Sequence, residues 1–267
     1  MFTTGILDVF MEQGITFPAV TAVSAGVLFG CNYKSRQIGR SLRYNLSLVG
    51  NKEYMSWRSL WRTGNYVNTD FSFRYLPFEY DPMDFDTFAA NPMRFWGVCT
   101  DIESGQPVYH EFLDAPKECL QWMRASSSMP VFARPVEIDG HYYLDGGITD
   151  SIPLAFMQSQ GYERCVIILT QPVDYRKHPA HVSWLIRRVL PQFPKVADLM
   201  AERHIMYNHQ LDFISEQARL GNALLIYPDE TLRIGRLELN ARKMQTIYEQ
   251  GRRKALEMLP QIREFVQ

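Results

Sequence analysis

Ala19-Val20-Thr21-Ala22-Val23-Ser24-Ala25-Gly26-Val27 reads as a short apolar strand that runs into a serine, with an apolar helical pattern beyond it. A serine on a sharp strand-to-helix turn is held out of regular structure, its hydroxyl exposed and backbone N–H groups beside it. The small residues on either side permit that turn, because larger Cβ groups would collide at such backbone angles. Ser24 is therefore the candidate nucleophile. The Ala25 N–H at the helix start is a candidate donor to a developing oxyanion, and Gly26 belongs to the same oxyanion and nucleophile turn.

The rest of the chain bounds what that serine can belong to. With 267 residues, 46% of them hydrophobic, it can bury one large core. No Gly/Ser/Pro-rich linker or charge block divides it, so a single domain over 1–267 is expected. A formal net charge of −1 argues against general nucleic-acid binding. No apolar run reaches the length of about 18 residues that reads as a membrane span, and no charged-then-apolar leader precedes the first helix. Cys31, Cys99, Cys119 and Cys165 are too widely spaced for a zinc knuckle or a disulfide framework. They read as reduced, mostly buried thiols of a cytoplasmic protein. No metal or organic cofactor is expected.

Hydrophobic periodicity alternates helices with strands. Helices are expected over Thr4 to Gln13, Gly26 to Leu48, Pro116 to Ala125 and Ala241 to Val266, with helical patterns also running to Leu220. Strands are expected over Ala19 to Val23, Phe95 to Cys99, Pro107 to Phe112, Cys165 to Thr170 and Leu224 to Tyr227. Val136 to Ile138 and Tyr142 to Leu144 flank Asp139-Gly140, a two-residue hairpin signal. Residues 52–91 are aromatic-rich and read as short helices with turns. The order implies an α/β three-layer sandwich with a mostly parallel central sheet.

A serine hydroxyl needs a base. His110, His141, His178, His181, His204 and His209 all lack a small-residue turn at a strand end, and each reads as a surface or structural histidine. The strongest carboxylate is Asp145, in Leu144-Asp145-Gly146-Gly147-Ile148. It follows an apolar strand and precedes two glycines, so neighbouring backbone can approach it closely. On its own the motif is equally an aspartate in an ordinary glycine turn.

Three motifs together carry a resemblance. Ala22-Val23-Ser24-Ala25-Gly26, Arg124-Ala125-Ser126-Ser127-Ser128-Met129-Pro130 and Asp145-Gly146-Gly147 resemble, in order and context, those of the patatin-like phospholipases, particularly the bacterial branch. The opening Phe2-Thr3-Thr4-Gly5-Ile6-Leu7-Asp8-Val9-Phe10 is similar to that branch's first helix, and the likeness spans essentially the whole chain. The resemblance implies a patatin-like fold, with Ser24 as nucleophile and Asp145 as its base in a dyad without histidine. Ala125, Ser126 and Pro130 would form a supporting loop beside the site.

Two positions depart from the family pattern. Ala22 stands where the family serine motif starts with glycine. The family's first strand and glycine-rich loop, which supply oxyanion donors, would precede the helix at which Met1 stands. Without them, one sheet edge would need covering or pairing.

The implied activity is hydrolysis of carboxylic esters of phospholipids or related acyl lipids through an acyl-serine. The alternatives are a soluble carboxylesterase or thioesterase, and a non-catalytic lipid-binding or scaffold protein of the same fold. A Ser-His-Asp hydrolase would need a late histidine. Lys34, Arg36, Arg40, Arg43, Lys52, Arg58 and Arg62, interleaved with Tyr54, Trp57 and Trp61, suit peripheral contact with an anionic membrane over Lys34 to Arg62. They equally suit a solvated helix face whose aromatics pack inward. Trp184-Leu185-Ile186-Arg187-Arg188-Val189-Leu190 is a second candidate anchor.

Overall fold

A computed structural model describes all residues except 114–115, 181 and 236–237, so the expectation for His181 lies outside the described residues. Helix α1 (Phe2–Glu12) repeats apolar residues at helical spacing, and Phe2, Ile6, Val9 and Phe10 are all buried. Strand β1 (Ala19–Val23) follows and leads directly into α2 (Ala25–Lys34).

The single helix expected from Gly26 to Leu48 is broken. After α2 the backbone turns left-handed at Arg36 (φ 55°) and Gly39 (φ 73°), and α3 (Arg40–Ser47) starts in a new direction. The reason is polar: the turn brings two cations of this segment inside. The buried Arg40 guanidinium donates to Asn32 Oδ1 at 2.6 Å and to the Asp81 carbonyl at 3.0 Å. The buried Lys34 Nζ donates to the Met93 carbonyl at 2.6 Å. Arg43 pairs with Asp81 at 2.8 Å. Lys34 and Arg40 are therefore structural cations, which corrects their assignment to a membrane-facing stretch.

Residues 52–91 hold α4 (Trp57–Thr63), a π-helical segment over Phe71–Tyr80 and α5 (Phe85–Ala90). Strands β2 (Arg94–Asp101) and β3 (Pro107–Glu111) pair antiparallel, and α6 (Pro116–Ser126) packs on β2. The expected hairpin forms from β4 (Val136–Ile138) and β5 (His141–Asp145), with Ile138 opposite His141. Its turn residues Asp139 and Gly140 take φ values of 52° and 82°, as a tight hairpin of that sequence requires.

A single 3₁₀ turn (Gly146–Ile148) then leads to α7 (Leu154–Ser159) and β6 (Cys165–Ile168). Helices α8 (Ser183–Val189) and α9 (Pro194–Arg219) precede β7 (Ala223–Ile226). The expected C-terminal helix is two: α10 (Ala241–Glu257) and α11 (Leu259–Val266), separated at Met258 where Pro260 opens a new first turn.

The sheets are mixed. One has the order β1-β2-β5-β4 with β3 also paired to β2, and β6 pairs with β7 in a second. The β1–β2 and β6–β7 pairs are parallel; the pairs made by β3, β4 and β5 are antiparallel. Among the described residues, β1 and β6 each carry strand pairing on one side only. Val20 of β1 and Val166 and Ile168 of β6 rest on the same apolar cluster, centred on Phe2, Ile6, Val9 and Phe10 of α1. On the other face, Val27, Phe95, Cys99, Phe112 and Met123 form the core between the five-stranded sheet, α2 and α6. Helices on both faces of a central sheet make this a three-layer α/β fold.

Candidate active site

Ser24 sits between β1 and α2 with φ 57° and ψ −125°, a conformation that non-glycine residues rarely adopt. Such strain persists only where surrounding structure over-determines it, and two contacts do so here. The Ser24 N–H donates to the Ser126 hydroxyl at 3.2 Å, and that hydroxyl donates onward to the Val98 carbonyl at 2.6 Å. Ser126 is wholly buried, so neither bond competes with water. Ala22 fits without crowding because its methyl faces Gly26 and Gly30 of α2; even an added methyl at those glycines would stand 3.6 and 3.9 Å away.

Removing the Ser126 hydroxyl strands a buried donor and a buried acceptor at once. Ser126→Ala is expected to cost about 1–3 kcal/mol of stability, read by thermal denaturation, and to slow acylation of Ser24. An unchanged melting temperature would show that the hydroxyl does not brace the turn.

Asp145 ends β5 opposite Cys99 of β2. Its N–H donates to the Ser128 carbonyl at 2.8 Å, and its carbonyl accepts from Thr100 Oγ1 at 2.9 Å. With its backbone pinned from both sides, the buried carboxylate divides its oxygens: Oδ1 accepts the Gly147 N–H at 2.8 Å, and Oδ2 accepts the Ser24 hydroxyl at 2.5 Å. Ser24 is half-buried and Ala25 exposed, so the serine turn lies nearer the surface than the buried carboxylate.

Gly146 is required by contact: a methyl there would stand 2.1 Å from the Val98 carbonyl oxygen. Pro130 is buried in the loop that follows Ser128. Ser24, Ala25, Gly26, Ser126, Asp145, Gly146 and Gly147 thus converge on one place, together with Ser128 and Thr100, which the sequence reading did not single out.

Helix α9 supplies two further residues. Arg203 donates through Nε to the Gly147 carbonyl and through Nη2 to Ser151 Oγ at 3.2 Å. Gln210 accepts the Ser151 and Ile152 N–H groups at 3.1 and 3.0 Å and donates to Asp150 at 2.6 Å. A visible signal existed: Arg203 and Gln210 share a helix face with Leu211 and Ile214, both buried.

Cys31, Cys99 and Cys165 are free thiols. Burial pushes Cys31 and Cys165 up to about 11 and Cys99 higher still, so they are poor nucleophiles beside Ser24. His110 is stacked on Trp122, and burial lowers its pKa. His141 lies near Glu103 and the His204 ring near the Ala201 carbonyl. Ser24's hydroxyl partner is the carboxylate.

Two short helices flank the loop beyond Pro130. The segment carrying α4 is tied to it by the Tyr66 N–H on the Phe132 carbonyl at 2.8 Å and the Arg134 N–H on Asn65 at 3.0 Å. Ile186 and Leu190, of α8 and its C-cap, pack with Val131 of the same loop. Outward, α4 presents Trp57 (69% exposed) and Trp61 (88%) with Arg58 and Arg62, and α8 presents Trp184 (66%) with Arg187 and Arg188. Among the described residues, no helix is long and apolar enough to cross a membrane.

A strained serine after the first strand, bonded to the aspartate of an Asp-Gly-Gly turn in a three-layer α/β fold, brings together the motifs that carry the resemblance. Residues 1–157 match the family model described as Patatin-like phospholipase, and the chain belongs to that family, whose general activity is lipid ester hydrolysis. Residues 193–267 match a second model, described as Domain of unknown function (DUF6363). The chain is also similar to the Escherichia coli (strain K12) protein described as Uncharacterized protein YjjU, at 30% identity over 177 residues. That match covers 64% of this chain and 49% of the relative, so the chain spans about half the length of the curated relative it matches.

Proposed function

We propose that this chain hydrolyses carboxylic esters of acyl lipids through a Ser24–Asp145 dyad and an acyl-serine intermediate. The observation that carries the reading is the 2.5 Å hydrogen bond from Ser24 Oγ to Asp145 Oδ2. In the forward step Ser24 Oγ attacks the ester carbonyl while Asp145 Oδ2 takes its proton. We assign the Ala25 and Gly26 N–H groups, in the first turn of α2, as donors to the developing oxyanion. The tetrahedral adduct collapses, and Asp145 returns the proton to the leaving alkoxide oxygen. Water, deprotonated in turn by Asp145, releases the fatty acid. No step draws on a metal or an organic cofactor.

The test is product analysis with phospholipid and short-chain ester substrates. Release of free fatty acid from phospholipid, lost in Ser24→Ala, is the expected result. Hydrolysis of short soluble esters alone would replace the lipid reading with a carboxylesterase. Lipid binding without turnover or acylation would replace it with a non-catalytic lipid-binding protein.

The substrate class carries a second element: peripheral docking on an anionic membrane from the cytoplasm. Its support is the exposed Trp57, Trp61 and Trp184 with neighbouring arginines, on two helices that grip the loop beside the site. This is the aromatic-plus-basic pattern that suits a headgroup region. Trp57→Ala/Trp61→Ala is expected to weaken partitioning onto vesicles of phosphatidylcholine and phosphatidylglycerol by about tenfold or more. Unchanged sedimentation with those vesicles would remove this face as the docking surface.

A further inference from the structure

We infer that the region of unknown function completes the hydrolase site: Arg203 of α9 is the positioning residue that orients Asp145 and balances its charge. The inference rests on the dyad proposed above. Two observations carry it, and they concern different atoms.

The first is a chain of hydrogen bonds. Arg203 Nε holds the Gly147 carbonyl, and Ser151 Oγ, itself held by Arg203 Nη2, donates to the same carbonyl at 2.9 Å. That carbonyl lies one Cα beyond the Gly147 N–H, so holding it restrains the residue whose N–H donates to Asp145 Oδ1, which leaves Oδ2 for the Ser24 hydroxyl. Gln210, two turns further along α9, accepts the Ser151 and Ile152 N–H groups, so α9 also holds the segment that follows this turn.

The second is proximity of charge. A methyl built on Gly147 would stand 3.0 Å from Asp145 Oδ1 and 3.2 Å from Arg203 Nη2. The guanidinium therefore lies within about 6 Å of the carboxylate, the range over which an opposite charge favours the ionised form. Burial acts the other way, because desolvation favours the protonated form that cannot accept the Ser24 proton.

Other groups face Asp145 as well. From β2 comes the Cys99 thiol, pushed up by burial and by Asp145 itself and therefore neutral. From the turn before α2 comes Ser24, and from the loop after α6 the Ser128 carbonyl. Along the chain from Asp145 lies Asp150, a further negative group, whose carboxylate is engaged by the Tyr109 hydroxyl at 2.6 Å and by Gln210. Loss of Arg203 would remove this cation while burial and Asp150 remain, raising the pH needed to ionise Asp145.

The test is a carboxyl ¹³C NMR titration of Asp145 in wild type, Arg203→Met and Arg203→Lys, with kcat and KM measured across pH. The methionine variant is expected to titrate about 1 pH unit or more above wild type. Its kcat is expected to fall by about 10²-fold from misalignment, with KM little changed. Lysine keeps the charge but not the fork, so its titration should stay close to wild type while kcat remains reduced. An Asp145 titration unmoved in folded Arg203→Met, or one raised as far in Arg203→Lys as in Arg203→Met, overturns the inference. Because the titration needs no turnover, it answers even where esters are not cleaved, a result that would count against the dyad alone.

Discussion

Asp145→Asn is expected to lower kcat for ester hydrolysis by about 10²–10⁴-fold, the usual worth of a positioned general base. The substitution is nearly isosteric. An asparagine carbonyl oxygen can still accept the Gly147 N–H that now reaches Oδ1. The amide nitrogen then faces Ser24 where Oδ2 accepts its hydroxyl at 2.5 Å, and it offers protons instead of taking one. The hydroxyl is turned into an acceptor and its own proton has no base. Because the backbone bonds from Ser128 and Thr100 are untouched, the fold should survive, and circular dichroism with a melting curve separates lost chemistry from lost structure. A wild-type rate in the folded variant would remove Asp145 from the mechanism.

Gly146→Ala should damage stability and chemistry together. The added methyl would stand 2.1 Å from the Val98 carbonyl oxygen and 2.4 Å from its carbon, both backbone atoms of a central strand. No rotamer relieves such a contact, so β5 must move away from β2. Overpacking of this kind costs about 1–3 kcal/mol or more, and in a chain this long each kcal/mol lowers Tm by roughly 2–4 °C. The same displacement draws Asp145 away from Ser24, whose own turn is tied through Ser126 to Val98. Thermal denaturation and ester turnover check both parts; an unchanged Tm would mean that the strands part there without cost.

Ser24 and Asp145 were legible because each stands in a local pattern with a geometric meaning. A serine among small residues between a strand and a helix has few structural readings, and an aspartate before two glycines allows close backbone approach. The hairpin at Asp139-Gly140 was legible for the same local reason. What escaped the sequence was decided by distant partners. The break after Lys34 follows from buried cations that need the Asp81 and Met93 carbonyls, far along the chain. The antiparallel pairing of β3 and β5 with β2 depends on how their connections fold back, which periodicity does not encode. Arg203 looks like an ordinary helical arginine until α9 is laid against the Gly146–Ile148 turn.

The reactivity of the Ser24 hydroxyl decides the dyad mechanism. Treatment with a fluorophosphonate, followed by peptide mapping, should find the adduct on Ser24, forming at a rate that falls by orders of magnitude in Asp145→Asn. Labelling at another residue, or at Ser24 with equal speed in both proteins, would contradict it.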